Sequence, residues 1–504
     1  MKNSFTALDL IVLVAYLAGT TLLGVYLGRN QKNTRDYFVA DHTIPWWAVL
    51  FSIVATETSA LTVISIPGLA YIGNLGFLQI AAGYIIGRIV VAYVLLPRYY
   101  GGNLVTAYAL LEKRFGVATR RFASVVFMFT RAFADSVRVF ATAIPIALIL
   151  SPILPATVVM PIAILVLGAL TLIYAYFGGV RAVVWTDVIQ TGVYLLGAAA
   201  AVVIIGHGVT GGWSHVFHSA AAAGKLQAID LYTGFDRPQT LLAGVLGGAF
   251  LSMASHGADQ VIVQRLMTAS SLRDARRALI GSGFAVFFQF ALFLMIGAGL
   301  WAYFGARTFD SPDKIFPTFI VTAMPTGLIG LLVAAILAAT MSAHSGAINS
   351  LAAATVHDIY LPLTHRDAND PRTLRVAKLV SLAWGLLLLI IALLYKQQGT
   401  PVVVVALSIA SFTYGALLGG FALGIMWARA QQRDAIAGMA VGILVMSVVV
   451  FAKQLSALWP ALAPIGSIAW PWYVLIGTAV TVGVGIFTSL FPHGSARIRV
   501  DDAE

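Results

Sequence analysis

The sequence contains no cysteine and very little charge. Its 504 residues include 20 Asp and Glu against 31 Lys and Arg, so charged side chains make up only 10% of the chain. The lack of cysteine excludes disulfides and thiol chemistry. No Walker loop, kinase segment or HExxH zinc helix is found either, which disfavours ATP-driven transport and intramembrane proteolysis. No polar stretch is long enough for a separate folded domain, so the activity is expected in the apolar part of the chain.

Apolar residues are unusually abundant in this chain. Hydrophobic residues make up 60% of it, and the mean hydropathy is +0.90, above the range of soluble domains. Apolar runs of about 20 residues predict one all-α polytopic membrane domain over residues 1–504, with about thirteen transmembrane helices. The expected spans lie near 8–27, 46–71, 75–97, 122–150, 157–177, 182–206, 241–263, 279–304, 327–357, 379–395, 400–427, 435–452 and 471–491.

The basic residues are distributed unequally between alternate loops. Most of the 31 Lys and Arg, Arg265 among them, fall in one set of loops, which the positive-inside rule places in the cytoplasm. The N-terminus is then outside and the C-terminus inside a plasma or inner cell membrane. This topology accounts for the net charge of +11 without nucleic acid, because the basic residues do not gather on one face. The lipid bilayer is the expected partner.

Two predicted spans carry polar residues or glycines at their centre. The span 46–71 contains the run Ala-Thr-Glu-Thr-Ser at 55–59 and a Pro-Gly pair at 67–68, and the span 241–263 is rich in Gly and Ser. An interrupted helix frees backbone groups, which is tolerated where they line a cavity or an ion. Two such spans five helices apart are typical of inverted repeats, although Gly and Ser are also ordinary packing residues in membranes.

The span 327–357 carries a third set of polar residues. Ser342, Ser345 and Asn349 recur there at three-to-four spacing and therefore share one helix face. Their oxygens would suit a small cation such as sodium. The hydroxyls would equally well bond the carbonyls of their own helix, and the spacing alone leaves both interpretations open.

Three arginines and an aspartate fall inside predicted spans, where charge is costly and marks pairing, an aqueous cavity or a function. Arg88 lies on one helix, while Arg131, Asp135 and Arg138 form a stripe on the next, at four and three spacing. If Asp135 neutralises one arginine, a positive charge remains, which favours an anionic solute. The alternative is an internal ion network with acidic residues such as Glu57.

Several motifs make the sequence resemble the sodium/solute symporter family, whose members carry proline, sugars, sialic acid, monocarboxylates and vitamins. The most specific motif is FGGVRAVVWTDVIQ at 177–190. The others are DYF at 36–38, PWW at 45–47, NLVT at 103–106 with LEKRFG at 111–116, and DQ at 259–260 with QR at 264–265. The resemblance runs through nearly the whole chain and implies a transporter rather than an enzyme.

The resemblance implies a leucine-transporter-like core of 5+5 inverted repeats that works by alternating access. Residues 8–27 would form an extra N-terminal helix, 45–206 the first repeat, 241–428 the second, and 435–491 two C-terminal helices. The implied activity is sodium-coupled secondary active symport, with Na⁺ as coupling ion. The expected cargo is a small organic solute bearing a carboxylate.

The resemblance also assigns residues to cation sites. The principal sodium site would consist of carbonyls of Ala55, Thr58 and Ala339 and the hydroxyl of Ser342. Ala343 stands where the family usually has a last hydroxyl ligand, so one oxygen is missing. Glu57 would compensate as a group for cation or proton coupling. A second sodium position would involve Asp187 and Ser345, with Ser342 also available.

The expected substrate residues lie on the two interrupted spans and on the arginine stripe. They are Ser59, Thr62, Arg131, Arg138, Ser255, His256 and Asp259. Three other functions stay open at this stage: symport of a neutral sugar or amino acid, a proton-coupled carrier that uses Glu57, and a transporter-like sensor that binds without transporting. The absence of an attached signalling domain disfavours the sensor.

Overall fold

The described part of the chain is built from α-helices. The computed structural model describes residues 5–28, 44–57, 60–101, 104, 106–177, 180–305, 307–367, 370–396 and 400–491. The helices up to the long polar loop are α1 (Ala7–Gly28), α2 (Trp46–Glu57), α3 (Ala60–Ile72), α4 (Phe77–Val94), α5 (Leu96–Tyr100), α6 (Ala109–Phe115), α7 (Val117–Leu150), α8 (Ala156–Phe177), α9 (Val180–Gly208) and α10 (Gly212–Ala222).

The remaining helices follow that loop. They are α11 (Gly248–Gly257), α12 (Gln260–Leu266), α13 (Leu272–Tyr303), α14 (Ile315–Ala323), α15 (Leu328–Ala353), α16 (Leu361–Thr364), α17 (Pro371–Leu394), α18 (Val402–Met426), α19 (Gln432–Leu455) and α20 (Trp472–Ser489). Short π-helical segments precede α11 at Ala243–Gly247 and follow α15 at Ala354–Tyr360.

Many of these helices have the length and composition of membrane spans. Among the described residues, nine are long and apolar enough to cross a bilayer, and α2 with α3 makes a tenth if that bent pair crosses as one. Shorter apolar segments lie in α1 (Ala7–Leu23) and α8 (Ala156–Leu172). The multi-pass, all-helical architecture is as predicted, whereas the exact number of spans stays a prediction.

Both spans predicted to be interrupted are interrupted. Helix α2 ends at Glu57 and α3 begins at Ala60, with an angle of 56° between them; Thr58 and Ser59 lie outside the described residues. Helix α11 ends at Gly257, and extended backbone at Asp259 separates it from α12. The Asp259 carboxylate caps α12 by accepting the N–H of Val261 at 2.8 Å. Carbonyls beside the breaks leave the helix ladder and take side-chain donors instead: Glu57 accepts from Thr62, and Gly257 accepts from the Tyr99 hydroxyl.

The helices before and after the long loop pack in a reciprocal way. Helices α2 and α3 pack on α13, and α11 packs on α4. Likewise α7 packs on α18 and α15 on α9, while α8 packs on α15 and α17 on α7. The helices before the loop correspond in chain order to those after it, with the broken pair α2 and α3 matching α11 and α12. When corresponding helices are exchanged, each contact above becomes another contact that is also present.

Glycines allow the broken helices to touch their neighbours backbone to backbone. A Cβ atom on Gly87 of α4 would lie 2.3 Å from the carbonyl oxygen of Ala249 on α11. On the other side, a Cβ atom on Gly297 of α13 would lie 2.1 Å from the carbonyl oxygen of Pro67 on α3. Small residues at such crossings give the close contact on which helix association in membranes depends.

Candidate functional site

A polar cavity of about 110 Å³ lies where the broken helices meet α7 and α18. Six helices contribute to its wall, namely α2, α4, α7, α11, α12 and α18. The lining residues are Thr56, Glu57, Tyr84, Arg131, Ala134, Arg138, Leu251, Ser255, His256, Ile262, Ala406, Leu407, Ala410 and Tyr414. Charged and hydroxyl-bearing side chains therefore share one small space with apolar ones, as in a binding site for a small polar molecule.

Most of the residues expected to contact a substrate line this cavity. Arg131, Arg138, Ser255 and His256 do so. Thr62 and Asp259 are buried but do not line it; the Thr62 hydroxyl donates to the Glu57 carbonyl at 3.2 Å. Ser59 lies outside the described residues. No signal in the sequence singled out Tyr84 or Tyr414, because no motif or charge pattern distinguishes them from the other tyrosines of the chain.

Arg131 is held by two aspartates. Its Nε lies 3.2 Å from Asp259 Oδ2, and its Nη1 lies 3.8 Å from Asp135 Oδ1. Asp259 also accepts a hydrogen bond from the Tyr414 hydroxyl. This cluster ties α7 to the start of α12 and to the middle of α18. Asp259 therefore contacts Arg131 and Tyr414, which line the cavity, and does not line it itself.

Arg138 has fewer partners than Arg131. Its Nη1 donates to Asp135 Oδ1 at 2.9 Å, and no second carboxylate among the described residues pairs with it. Its side chain is 15% exposed, compared with 8% for Arg131. Of the two arginines that line the cavity, Arg138 therefore has more N–H donors available to an incoming anion than Arg131.

Glu57 is paired at the first helix break. Its carboxylate forms an ion pair with Arg88 of α4, whose side chain is fully buried. The Arg88 Nη1 also donates to Ser282 Oγ of α13 at 2.8 Å, and His256 Nε2 lies 3.5 Å from the Glu57 carboxylate. Because Arg88 already neutralises the Glu57 carboxylate, we expect Glu57 to hold the helix break against α4 and α11. This role fits the contacts better than cation or proton coupling.

The buried charges around the cavity balance. Within the described residues, Glu57 pairs with Arg88 and Asp259 with Arg131, and Asp135 lies between Arg131 and Arg138. Three arginines thus face three acidic residues. The positive excess expected from the stripe on α7 is not found among the described residues, because Glu57 and Asp259, both distant from α7 in sequence, supply negative charge.

Ser342 is oriented by Asp187. Its hydroxyl donates to Asp187 Oδ1 at 2.6 Å, which leaves the oxygen lone pairs for another partner. Ala55, Ala339 and Ala343 are each 2% exposed, and Ala343 brings no side-chain oxygen to this place. Thr58, the remaining expected sodium ligand, lies outside the described residues. A hydroxyl with its proton fixed on a carboxylate is a suitable cation ligand.

Asp187 has a second set of partners. Ser52 donates to its Oδ2 at 2.7 Å, and Arg265 Nη2 lies 3.8 Å from the same oxygen. Placing Arg265 in a cytoplasmic loop was wrong: it lies on α12 and is buried, and its Nε donates to Ser52 Oγ at 3.1 Å. The hydroxyl of Ser345, also buried, has no hydrogen-bond partner among the described residues. Ser345 lies one helical turn from Ser342, whose hydroxyl contacts Asp187.

Comparison with known proteins agrees with this arrangement. The model of the sodium:solute symporter family matches residues 37–442. The chain is 31% identical to the sodium/sialic acid symporter NanT of Aliivibrio fischeri, over 99% of this chain and 96% of the relative. It is 30% identical to the sodium/sialic acid symporter SiaT of Proteus mirabilis, over 100% and 99%. The solved structure of a Na⁺-coupled sialic acid symporter, substrate-bound and outward-open, matches with a TM-score of 0.81 at 30% identity, covering 97% of this chain and 99% of that one.

The fold, the cavity and the similarity to known proteins define a multi-pass membrane transporter of the leucine-transporter-like class. The chain belongs to the sodium:solute symporter family. It is a sodium-coupled symporter of a small organic solute, and not an enzyme. The predicted family, coupling ion and membrane location are thereby confirmed.

Proposed function

We propose that this symporter imports a small carboxylate-bearing solute, with a sialic-acid-like sugar acid as the first candidate. The observation that carries the proposal is the position of Arg138, which lines the cavity and, among the described residues, pairs with a carboxylate through one nitrogen only. NanT and SiaT, which align over nearly the whole chain, are named for sialic acid transport. Arg138 would hold the carboxylate, with Arg131, Ser255 and His256 beside it.

The size of the cavity constrains how such a solute is held. Ligand pockets usually measure about 300–1,000 Å³, whereas this cavity measures about 110 Å³. A sugar acid therefore requires the cavity to widen, and alternating access supplies such a movement of one helix bundle against the other. Smaller monocarboxylates require less widening and form the second group to test.

Charge balance supplies a reason for coupling. A carboxylate that enters the balanced cavity alone adds an uncompensated negative charge, and a sodium ion alone adds a positive one. Either is costly in an environment of low dielectric constant. The two together restore neutrality, so each favours binding of the other.

We place the coupling sodium between the break after α2 and the middle of α15. Its ligands would be carbonyls of Ala55, Thr58 and Ala339 and the hydroxyl of Ser342, whose proton is held by Asp187. A second sodium would lie between Asp187 and the hydroxyl of Ser345, which has no hydrogen-bond partner in the described part of the chain. There it would compete with the Arg265 guanidinium for Asp187.

The proposed topology has thirteen spans, with the N-terminus outside and the C-terminus inside. Residues 45–206 and 241–428 would be the two inverted five-helix repeats, 8–27 an added helix and 435–491 two further helices. The reciprocal packing of the two halves supports this division. The greater number of Lys and Arg in one set of alternate loops supports the orientation.

Uptake into proteoliposomes tests the proposal. Sialic acid and small monocarboxylates should accumulate only with an inward sodium gradient. Their methyl esters, which lack the charge, should compete at least about tenfold less well, equivalent to roughly 1.4 kcal/mol. Concentrative uptake of a neutral sugar or amino acid with no competition from any carboxylate would replace the proposal with neutral-solute symport, which the balanced charges also permit. Uptake driven by a pH gradient without sodium would contradict the proposed sodium sites.

A further inference from the structure

An apolar groove of about 500 Å³ lies apart from the polar cavity and shares no lining residue with it. One wall consists of α4 and α11, and the other of α18 and α20. Among the described residues that line the groove, only Thr478 has a polar side chain. Its hydroxyl donates to the carbonyls of Val474 at 2.7 Å and Gly415 at 3.2 Å. The groove therefore offers apolar contacts alone.

The two walls are separately close-packed. A Cβ atom on Gly87 would lie 2.3 Å from a backbone oxygen of α11, and a Cβ atom on Gly415 would lie 2.8 Å from the Cα of Gly477 on α20. The groove thus lies between two rigid helix pairs that are already in backbone contact. Its lining atoms lose their dispersion contacts unless apolar material occupies the space. Exposed Val90, Val94 and Met426 at its edge leave it open to the bilayer.

Two exposed arginines follow the groove lining along the chain. The lining residues Val94 and Met426 are the last residues of α4 and α18. One turn beyond Val94 lies Arg98, which is exposed and whose Nη1 donates to the Val94 carbonyl. Arg429, also exposed, follows Met426 by three residues. Apolar surface that ends at two arginines matches an acyl chain attached to an anionic headgroup.

We propose that this groove binds one acyl chain of an anionic phospholipid whose phosphate contacts Arg98 and Arg429. The proposal does not depend on the identity of the transported solute. It has a consequence for transport, because α4, α11 and α18 also line the polar cavity through Tyr84, Leu251 and Tyr414. A lipid between the two walls contacts the helices that surround the solute.

Native mass spectrometry of the purified full-length protein tests the proposal. Phosphatidylglycerol and phosphatidylcholine with identical acyl chains are added in separate and mixed samples. The wild type should retain one tightly bound phosphatidylglycerol, with a preference of roughly tenfold or more over phosphatidylcholine, as two arginines near an anionic headgroup imply. Ala422→Phe, which fills the groove, should abolish this retention. Ala199→Phe, at an exposed position of α9 outside the groove, is the matched control and should not change it.

The headgroup is tested separately. The double variant Arg98→Gln/Arg429→Gln should lower retention of phosphatidylglycerol to that of phosphatidylcholine, whereas Arg372→Gln, an exposed arginine at the start of α17, should leave it unchanged. Equal retention of both lipids by the wild type would overturn the proposal. So would wild-type retention by Ala422→Phe, which would indicate surrounding lipid only. If Ala422→Phe does not elute as a monodisperse protein, Ala479→Phe on α20 fills the groove from the same wall.

Discussion

Replacement of Arg138 by Gln is the sharpest test of the anionic site. Removal of one partner from a buried charged pair usually costs about 2–5 kcal/mol. At 1.4 kcal/mol per factor of ten, this predicts a half-saturation constant for the carboxylate raised by about 30-fold or more. The lower end of the range is expected, because the Arg138 side chain keeps 15% exposure and water replaces part of the lost interaction.

Stability should distinguish Arg138 from Arg131. Without Arg138, Asp135 still has Arg131 at 3.8 Å, so the free energy of unfolding should change little. Without Arg131, the fully buried Asp259 loses its cation, and a loss of about 3–5 kcal/mol is expected. Asp259→Asn in the Arg131→Gln background should recover part of that loss, since it removes the unpaired charge.

Initial rates of sodium-driven uptake into proteoliposomes, measured over a range of solute concentrations, provide the assay. Thermal unfolding of the purified variants is measured in parallel. Arg138→Lys is the matched control: it keeps the charge but not the planar pair of donors, so its half-saturation constant should lie between those of the wild type and Arg138→Gln. A stable Arg138→Gln protein with an unchanged half-saturation constant would refute the assignment of Arg138 to the carboxylate.

Three further predictions concern sodium, the first helix break and packing. Ser342→Ala should raise the sodium concentration for half-maximal uptake by about tenfold or more, because it removes one oxygen ligand. Ala343→Ser adds one and should lower that concentration. If neither variant shifts it, the proposed sodium site is wrong. Glu57→Gln should cost about 3–5 kcal/mol in thermal unfolding by leaving its buried arginine partner unpaired, and undiminished stability would show that this pair is dispensable. Gly87→Ala should destabilise by about 1–3 kcal/mol, because the new methyl group meets a backbone oxygen. Gly192→Ala, with nothing within 4 Å, should be neutral or slightly stabilising, and equal effects of the two would contradict the packing argument.

Features that depend on local sequence could be predicted before the structure was known. The polar run at 55–59 predicted a break, and α2 ends at Glu57. The Gly- and Ser-rich span 241–263 predicted another, and extended backbone separates α11 from α12 at Asp259. Such predictions succeed because a membrane penalises free backbone groups and charge so strongly that a few residues determine where a helix stops.

The partners in long-range contacts could not be predicted. An internal ion network with Glu57 was one of two alternatives, and Glu57 pairs with Arg88, but the sequence did not indicate which charges pair. Spacing within α7 joined Arg131 to Asp135, but the closest described carboxylate to Arg131 is that of Asp259, which caps α12 more than a hundred residues later. Arg265 belonged by position to a loop, yet it is buried beside Asp187. Ion pairs of this kind follow from the way the two halves of the chain pack together, which no local pattern encodes. The net charge of a membrane cavity is a property of the assembled helices, so a stripe of arginines on one helix does not by itself establish an anion site.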